Sequence, residues 1–466
     1  MIKINKKKLF QDLTEKYIQK HRKSEEAFKR ANQFQIRGGS HTLRLFAPFP
    51  FYDVRCKGSR VADMDGNEYI DFWQGHYANI LGHNPDVIIK PLQDFFQNGG
   101  GLITGFPGQL QALLAELIIR QTGLDRIRFT TSGTLASMYS ILLAKSFTKR
   151  KLVMKIGGGW HGAQPYTLKG ITRFDKGLVL RESAGISRHI DTSTVITRFN
   201  DPEDLEDKFR RYGDRLACFI IEPFIGAGGF MFARRKYIRK ARELTHRYGT
   251  LFIFDEVISG FRFLPAGVQS LYQVTPDLSL FGKAIGGGLS VSAVAGREDV
   301  MRLCDPEAPE DLKVKFEGGT FSAHPASMYA GFLYLKHLIK NADSIYPLIG
   351  RMGNKVREEI EKIFTSYGFN MMCTGIDKDI TPESSFVGVH FFHEHVDRIS
   401  SPEDVWNTEK CDVEMREKIF KLAMINEGIN IFHGFGAVSS AHTDEDIQRS
   451  LDAADRTAQY FLKFKE

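Results

Sequence analysis

Four short segments of this 466-residue chain combine residue types with a capacity for chemistry, and each directly follows a β-rich run. Thr131-Ser132-Gly133-Thr134 sits between the run IRFT and a helical pattern. Small hydroxylated residues and a glycine at a helix start leave backbone N–H groups free, which with the helix dipole suit phosphate. Asp255-Glu256 closes the apolar run LFIFDEV, where a carboxylate faces a crevice and can pair with a protonated ring nitrogen or a metal. Lys283 follows the run LSLF and precedes Gly286-Gly287-Gly288. An apolar setting lowers a lysine pKa and prepares the amine to attack a carbonyl as a Schiff-base former. Gly157-Gly158-Gly159-Trp160-His161-Gly162 follows KLVMKI and offers an aromatic that can lie flat on a planar ring.

Each segment has an ordinary reading when taken singly: a helix cap, a solvated acid, a snorkelling lysine, a packed loop tryptophan. Together they describe what pyridoxal phosphate requires of a protein, namely a phosphate cup, a flat aromatic, an acid for a pyridinium nitrogen and an activated lysine. Neither GGGWHG nor GGGLSV has the G-x-G-x-x-G of a nicotinamide loop.

The elements that must position these residues follow from periodicity. From about residue 105, helical stretches such as QLQALLAELIIRQ and RKYIRKARELTHRYG alternate with short apolar runs such as LACFIIEP. That texture predicts an α/β fold with a mostly parallel sheet covered on both faces. VADMDGNEYIDFW predicts a hairpin turning at Asp65-Gly66. After about 325 a long helical region precedes SFVGVHFF and INIFHGF, which reads as a smaller α+β unit sharing its sheet with that hairpin. The expected division is a basic arm over 1–40, the N-terminal part of the small domain over 41–80, the large domain over 81–325 and the C-terminal small domain over 326–466.

The formal charge of +7 comes entirely from the first 37 residues, which carry eleven basic and four acidic side chains. Phe10, Leu13 and Tyr17 in this arm have helical spacing. The remainder is balanced, which argues against nucleic-acid binding by the main body. No run nears the roughly 20 apolar residues of a membrane span. Five scattered cysteines show neither a disulfide framework nor metal-ligand spacing, so reduced thiols in the cytoplasm are expected.

The order S-G-T, G-x-W-H-G, I-E-P, F-D-E-V-I-S-G-F-R, T-P-D-L, G-K-x-I-G-G-G and G-T-F-S-A-H-P resembles the class III aminotransferases of fold type I, nearest the branch of glutamate-1-semialdehyde 2,1-aminomutase. The match extends from about Gly58 to SSAHTDEDI. The resemblance implies a seven-stranded large domain and a smaller domain built from both chain ends. It implies that Ser132, Gly133 and Thr134 hold the cofactor phosphate, that Trp160 stacks on the ring within the Trp160-His161 pair, and that Val257 packs on the other face. Asp255 would pair with the ring nitrogen and Lys283 with the aldehyde. Thr320 would reach the phosphate of the neighbouring subunit of a homodimer. Arg44 lies near where relatives bind a substrate carboxylate, and Trp73, His76 and Tyr77 would line the pocket.

Departures cluster around the substrate. Leu135 stands where S-G-T-E-A has glutamate, Ala227 where relatives often carry Asn, Glu or Gln, and WQGHYANILGH replaces a W-G-P segment. The FHGFGAVSS segment has no acid. The expected activity is therefore amino transfer between an amino acid or amine and a separate keto acid or aldehyde. Intramolecular 2,1-transfer ranks next, then racemisation. A non-catalytic nucleic-acid binder using the arm is the reading from another class.

Overall fold

The computed structural model describes residues 2–466. Its centre is a seven-stranded sheet in the order Arg126–Thr130, Ser292–Gly296, Leu278–Phe281, Leu251–Glu256, Leu216–Ile221, Leu152–Ile156 and Thr194–Thr197. Ser292–Gly296 runs antiparallel to both neighbours, and the other strands run parallel. Strands such as LACFII and LFIFDE are buried along their whole length, as expected of a sheet covered on both faces. Alternate side chains divide between two cores. Leu251, Ile253, Cys218, Ile220 and Val153 pack with the helix Gly133–Thr148, whereas Phe252, Phe254, Phe219 and Met154 pack with the helix Arg235–Tyr248.

That parity also decides where the polar residues go. Ile253 pairs with Ile220 and Phe254 with Ile221. One residue further, Asp255 and Glu222 stand on adjacent strands, on the same side as the helix Gly133–Thr148. Neighbouring strands lie about 4.8 Å apart, so the two carboxyls are forced into each other's field. The segments after Thr130, Ile156, Ile221, Glu256 and Phe281 all leave the carboxyl edge of the parallel strands, where open α/β sheets bind their ligands.

The smaller unit draws on both ends of the chain. The hairpin of Arg60–Asp63 and Glu68–Asp71 turns with Gly66 at φ +92°, a conformation that favours glycine. Its sheet is completed by Ile429–Asn430, which runs parallel to Glu68–Asp71. The arm forms two helices, Lys6–Lys20 and Arg22–Ala31, divided at His21. Leu9, Leu13 and Tyr17 enter the small-unit core at i, i+4 and i+8, and Phe10 is only partly buried beside them. Asp65, on the hairpin turn, accepts hydrogen bonds from the Lys23 and Ser24 amides and so caps the second arm helix. Lys6 pairs with Asp412 across the fold and Lys20 donates to the Asn426 carbonyl, while Lys16 with Asp12 and Lys29 with Glu25 are pairs inside the arm; most of the arm's net charge therefore faces solvent. Among the described residues no helix is long and apolar enough to cross a membrane.

Candidate active site

A cavity of about 280 Å³ opens at the carboxyl edge of the large sheet, lined by Ser132, Gly133, Thr134, Trp160, Glu222, Asp255, Val257 and Lys283 among others. The four segments singled out in the sequence therefore converge on one space.

Ser132 caps the helix Gly133–Thr148, its Oγ accepting the Leu135 amide at 3.3 Å. The first-turn amides have no acceptor within the helix, so this 16-residue helix directs free N–H groups and its positive end at the cavity. Thr134 Oγ1 accepts the Ala163 amide at 3.2 Å and ties the helix start to the Trp160-His161-Gly162 loop. Gly162 has φ +80°, and a Cβ there would stand 2.6 Å from Thr134 Cα. A Cβ on Gly133 would stand 3.2 Å from Val257 Cγ2. Both glycines keep the cradle open. Gly162→Ala is expected to weaken cofactor binding at least tenfold, because left-handed backbone strain of about 1–3 kcal/mol falls on the cup itself; titration of the cofactor by Trp160 fluorescence measures it.

Asp255 is buried and accepts from His161 Nδ1 at 2.9 Å through Oδ2 and from the Val257 amide at 3.1 Å through Oδ1. Burial lowers the His161 pKa, so the neutral imidazole donates from Nδ1 and fixes the carboxylate. His161 Nε2 has no partner among the described residues. Trp160 stands at the lip, 41% exposed, and offers the cavity an aromatic face. Lys283 adopts φ 47°, unusual for a residue with a Cβ, at the turn after Phe281. Burial lowers its ammonium pKa against the opposing pull of Asp255 and Glu222, which raises the share of free amine.

Thr320 lies outside this cavity. It is exposed, next to Gly319, whose Cα faces Thr131 and Leu135. The leucine at 135 therefore meets the Gly319 loop rather than the cavity. Arg44, Trp73 and His76 form a second group off the cavity wall: Arg44 Nε lies 3.4 Å from His76 Nε2, and the Trp73 and His76 rings are 4.6 Å apart. Tyr77 turns into the core. Burial, with the charges of His41 and Lys283 in reach, pushes His76 down to about 3.

Glu222 was not among the residues selected from the sequence, although it belongs to the I-E-P motif. Its signal is the one that marks Asp255, an acid ending an entirely apolar strand. It is 2% exposed and accepts the Trp160 amide at 2.7 Å and the Gly226 amide at 3.0 Å. Burial and the neighbouring Asp255 push it up to about 8. A folded-state pKa above the unfolded value favours folding at low pH and loses that advantage as pH rises through the folded value. In the cofactor-free protein, Glu222→Gln should therefore flatten the loss of thermal stability between about pH 5 and 8; identical pH slopes for both proteins would contradict the assignment.

A lysine lining a cavity, a carboxylate held by histidine and an anion cup at the edge of a parallel sheet define a transferase site of the lysine-centred kind. Residues 46–371 match the family model described as Aminotransferase class-III, and the chain belongs to that family. It is 32% identical over 442 residues to a glutamate-1-semialdehyde 2,1-aminomutase of Thermoplasma volcanium, covering 93% of this chain and 98% of the relative. Among solved structures, an omega-transaminase from Sphaerobacter thermophilus superposes with a TM-score of 0.83 at 29% identity, covering 94% of this chain and 97% of the other. A transaminase with PLP bound gives 0.82 at 26% identity, covering 95% and 98%.

Proposed function

We propose that the chain is a pyridoxal-phosphate-dependent aminotransferase that moves an amino group between an amino acid or amine and a separate keto acid or aldehyde. The observation that carries this is the meeting of Lys283, Asp255 and the Ser132–Thr134 helix start in one cavity. The donor set fits the cofactor: free helix-start amides for a phosphate, a carboxylate for a ring nitrogen, two glycines whose Cβ atoms would fill the cradle. Ser132, Gly133 and Thr134 would hold the phosphate, Trp160 and Val257 would cover the two ring faces, Asp255 backed by His161 would meet the ring nitrogen, and Lys283 would meet the aldehyde. Pyridoxal phosphate, when bound, supplies an electron-poor ring that eases bond breaking at the substrate carbon bearing the amine.

The remaining work falls to the chain. Lys283 Nζ, whose burial favours the free amine, would take a proton from that carbon. The Asp255 carboxyl accepts from His161 Nδ1 and from the Val257 amide, which together prevent its rotation. Glu222 ties the Trp160 amide to the Gly226 amide, which holds the aromatic lid in place and limits water. The active unit is a homodimer in which Thr320 completes the neighbouring site; Thr320 is exposed, and Phe321, Phe106 and Leu102 present apolar surface to solvent at 63%, 82% and 82%. Five cysteines free of disulfides suit a cytoplasmic setting.

The aminomutase relative favours a second reading, intramolecular transfer within one substrate. A donor and acceptor screen on the purified protein, read through the cofactor half-reaction spectrum, separates them. Nitrogen label passing from a donor amine to an added keto acid supports transamination. Isomerisation with no label in the acceptor replaces it with the mutase reading.

A further inference from the structure

The turn Gly226-Ala227-Gly228-Gly229, shortly after Glu222, carries no side chain larger than a methyl. Gly229 stands at φ +107°, a conformation that favours glycine. A turn of this composition is fixed by what its amides and carbonyls bond to. The Gly226 amide donates to Glu222 Oε2 at 3.0 Å, and the Gly229 amide donates to the Gly226 carbonyl at 3.1 Å. Two further bonds reach in from the C-terminal part of the chain. Trp406 Nε1 donates to the Ala227 carbonyl at 3.1 Å, and Thr374 Oγ1 donates to the Gly229 carbonyl at 2.6 Å.

Both of these bonds lead back to Arg416. Thr374 closes the strand Met371–Thr374, which pairs antiparallel with Phe386–Phe391, the strand that carries His390. His390 Nε2 lies 2.9 Å from Thr374 Oγ1, and its Nδ1 lies 2.8 Å from Arg416 Nη1. A guanidinium only donates, so Nδ1 accepts and Nε2 carries the imidazole proton. His390 therefore donates to Thr374, whose own hydroxyl proton goes to Gly229. Burial and the Arg416 charge hold His390 neutral, as this direction requires. On the other side, the Arg416 guanidinium lies 4.7 Å from the Trp406 ring centroid and donates to the Val405 carbonyl at 3.1 Å. Arg416 is 2% exposed, with Glu417 Oε1 at 2.7 Å from its Nε. A buried ion pair rarely outperforms apolar packing in stability. What this one supplies is direction, from a π-helical turn, Met415–Phe420, of a kind found mostly at functional sites.

We propose that Arg416, His390 and Thr374 are positioning residues of the active site: their chain of donated hydrogen bonds fixes the Gly226–Gly229 turn and, through Glu222, the Trp160 lid of the cofactor cavity. The chain sets the Ala227 and Gly229 carbonyls, the turn sets the Gly226 amide, and Glu222 spans from that amide to the Trp160 amide at 2.7 Å. Every link is a hydrogen bond or a ring contact between named groups, and none of the three residues lines the cavity itself. The C-terminal part of the chain thus governs how the aromatic lies over the cavity without entering it. This rests on the aminotransferase reading above.

The test uses the full chain loaded with pyridoxal phosphate and needs no substrate. Visible circular dichroism of the bound cofactor reports how the ring is seated, and the rate of its reduction by borohydride reports access past Trp160. Thr374→Val keeps the side-chain shape and removes the bridging hydroxyl. Its bound cofactor is expected to show a weaker visible band and to be reduced about fivefold faster, the scale of one lost hydrogen bond. Thr374→Ser, which keeps the hydroxyl, returns both readings to those of the unmodified protein. Trp406→Phe removes the N–H to Ala227 and shifts both readings the same way, which decides the matter where Thr374→Val does not fold. An unchanged band and reduction rate in the folded variants, with only a lower melting temperature, overturn the inference, as does a Thr374→Ser protein that behaves like Thr374→Val. A chain that binds no pyridoxal phosphate overturns the aminotransferase reading and this inference with it, a different result from a bound cofactor that the variants leave undisturbed.

Discussion

Replacing Lys283 by alanine is expected to lower turnover by about 10⁴-fold, the upper range for removing a positioned acid–base group, while the folded protein persists. The side chain projects into a cavity rather than into a packed core, so its truncation leaves no dry void among apolar neighbours. The backbone is the more delicate part. Lys283 holds φ 47°, and alanine inherits that strain without adding to it. Stopped-flow transfer assays and a thermal melt separate the two effects. In the unmodified enzyme, borohydride treatment followed by peptide mass mapping should attach the cofactor to Lys283. Cofactor-dependent turnover surviving in Lys283→Ala would sink the catalytic assignment.

Asp255→Asn should be nearly as damaging for a different reason. The carboxylate receives the Nδ1 proton of His161 and stands beside Glu222, which burial holds at about 8. Asparagine keeps the shape of that side chain and removes the carboxylate that accepts from His161 and the Val257 amide. The loss of a charge-assisted contact to the ring nitrogen is worth about 2 kcal/mol, roughly 30-fold in cofactor Kd. Turnover should fall further, by about 10²–10⁴-fold, because the ring no longer keeps its proton during the reaction. An equilibrium titration paired with single-turnover kinetics gives both quantities. Equal losses in affinity and rate would mean that Asp255 contributes binding alone. With Glu222 relieved of its charged neighbour, its pKa should move down toward the ordinary carboxylate range, so the pH slope of stability described above should become shallower in Asp255→Asn as well.

How legible this was in the sequence varied with the physical range of each determinant. The strand ends were plain, because an all-apolar run closed by a polar residue has few alternatives to a buried parallel strand, and Ser132, Asp255 and Lys283 stand at such closures. Glu222 carries the same mark, an acid closing the apolar strand Leu216–Ile221. Strand parity, which sets it beside Asp255, becomes visible only once the register of Ile253 with Ile220 is known. The arm was legible as helical, but its break at His21 was not. His21 Nδ1 bonds the Tyr17 carbonyl and its Nε2 lies 2.5 Å from the Tyr69 hydroxyl, 48 residues away. The surroundings of Lys421 were the least readable: its Nζ lies 4.3 Å from the Phe432 ring centroid, 4.6 Å from Phe46 and 5.7 Å from Trp73, and nothing in its local spacing sets it apart from an exposed helical lysine.

The strand Ile429–Asn430 of the hairpin sheet has a consequence for biosynthesis. Asp71 binds the Asn430 side chain at 2.7 Å across 359 positions of chain, and Glu466 donates its amide to the Lys3 carbonyl. A ribosome releases the first of these partners long before the second exists. The large sheet can close while the opening 80 residues still lack half of their core, and contacts of such separation form slowly. A nascent chain stalled after residue 325 would carry the assembled cavity of the large sheet beside an unpaired hairpin edge and the helix Lys6–Lys20 with its apolar stripe of Leu9, Leu13 and Tyr17 bare, the kind of surface that chaperones bind. The helix Asp444–Leu462, whose Ile447, Leu451 and Phe461 share one core with Leu9, Leu13 and Tyr17, then covers that surface.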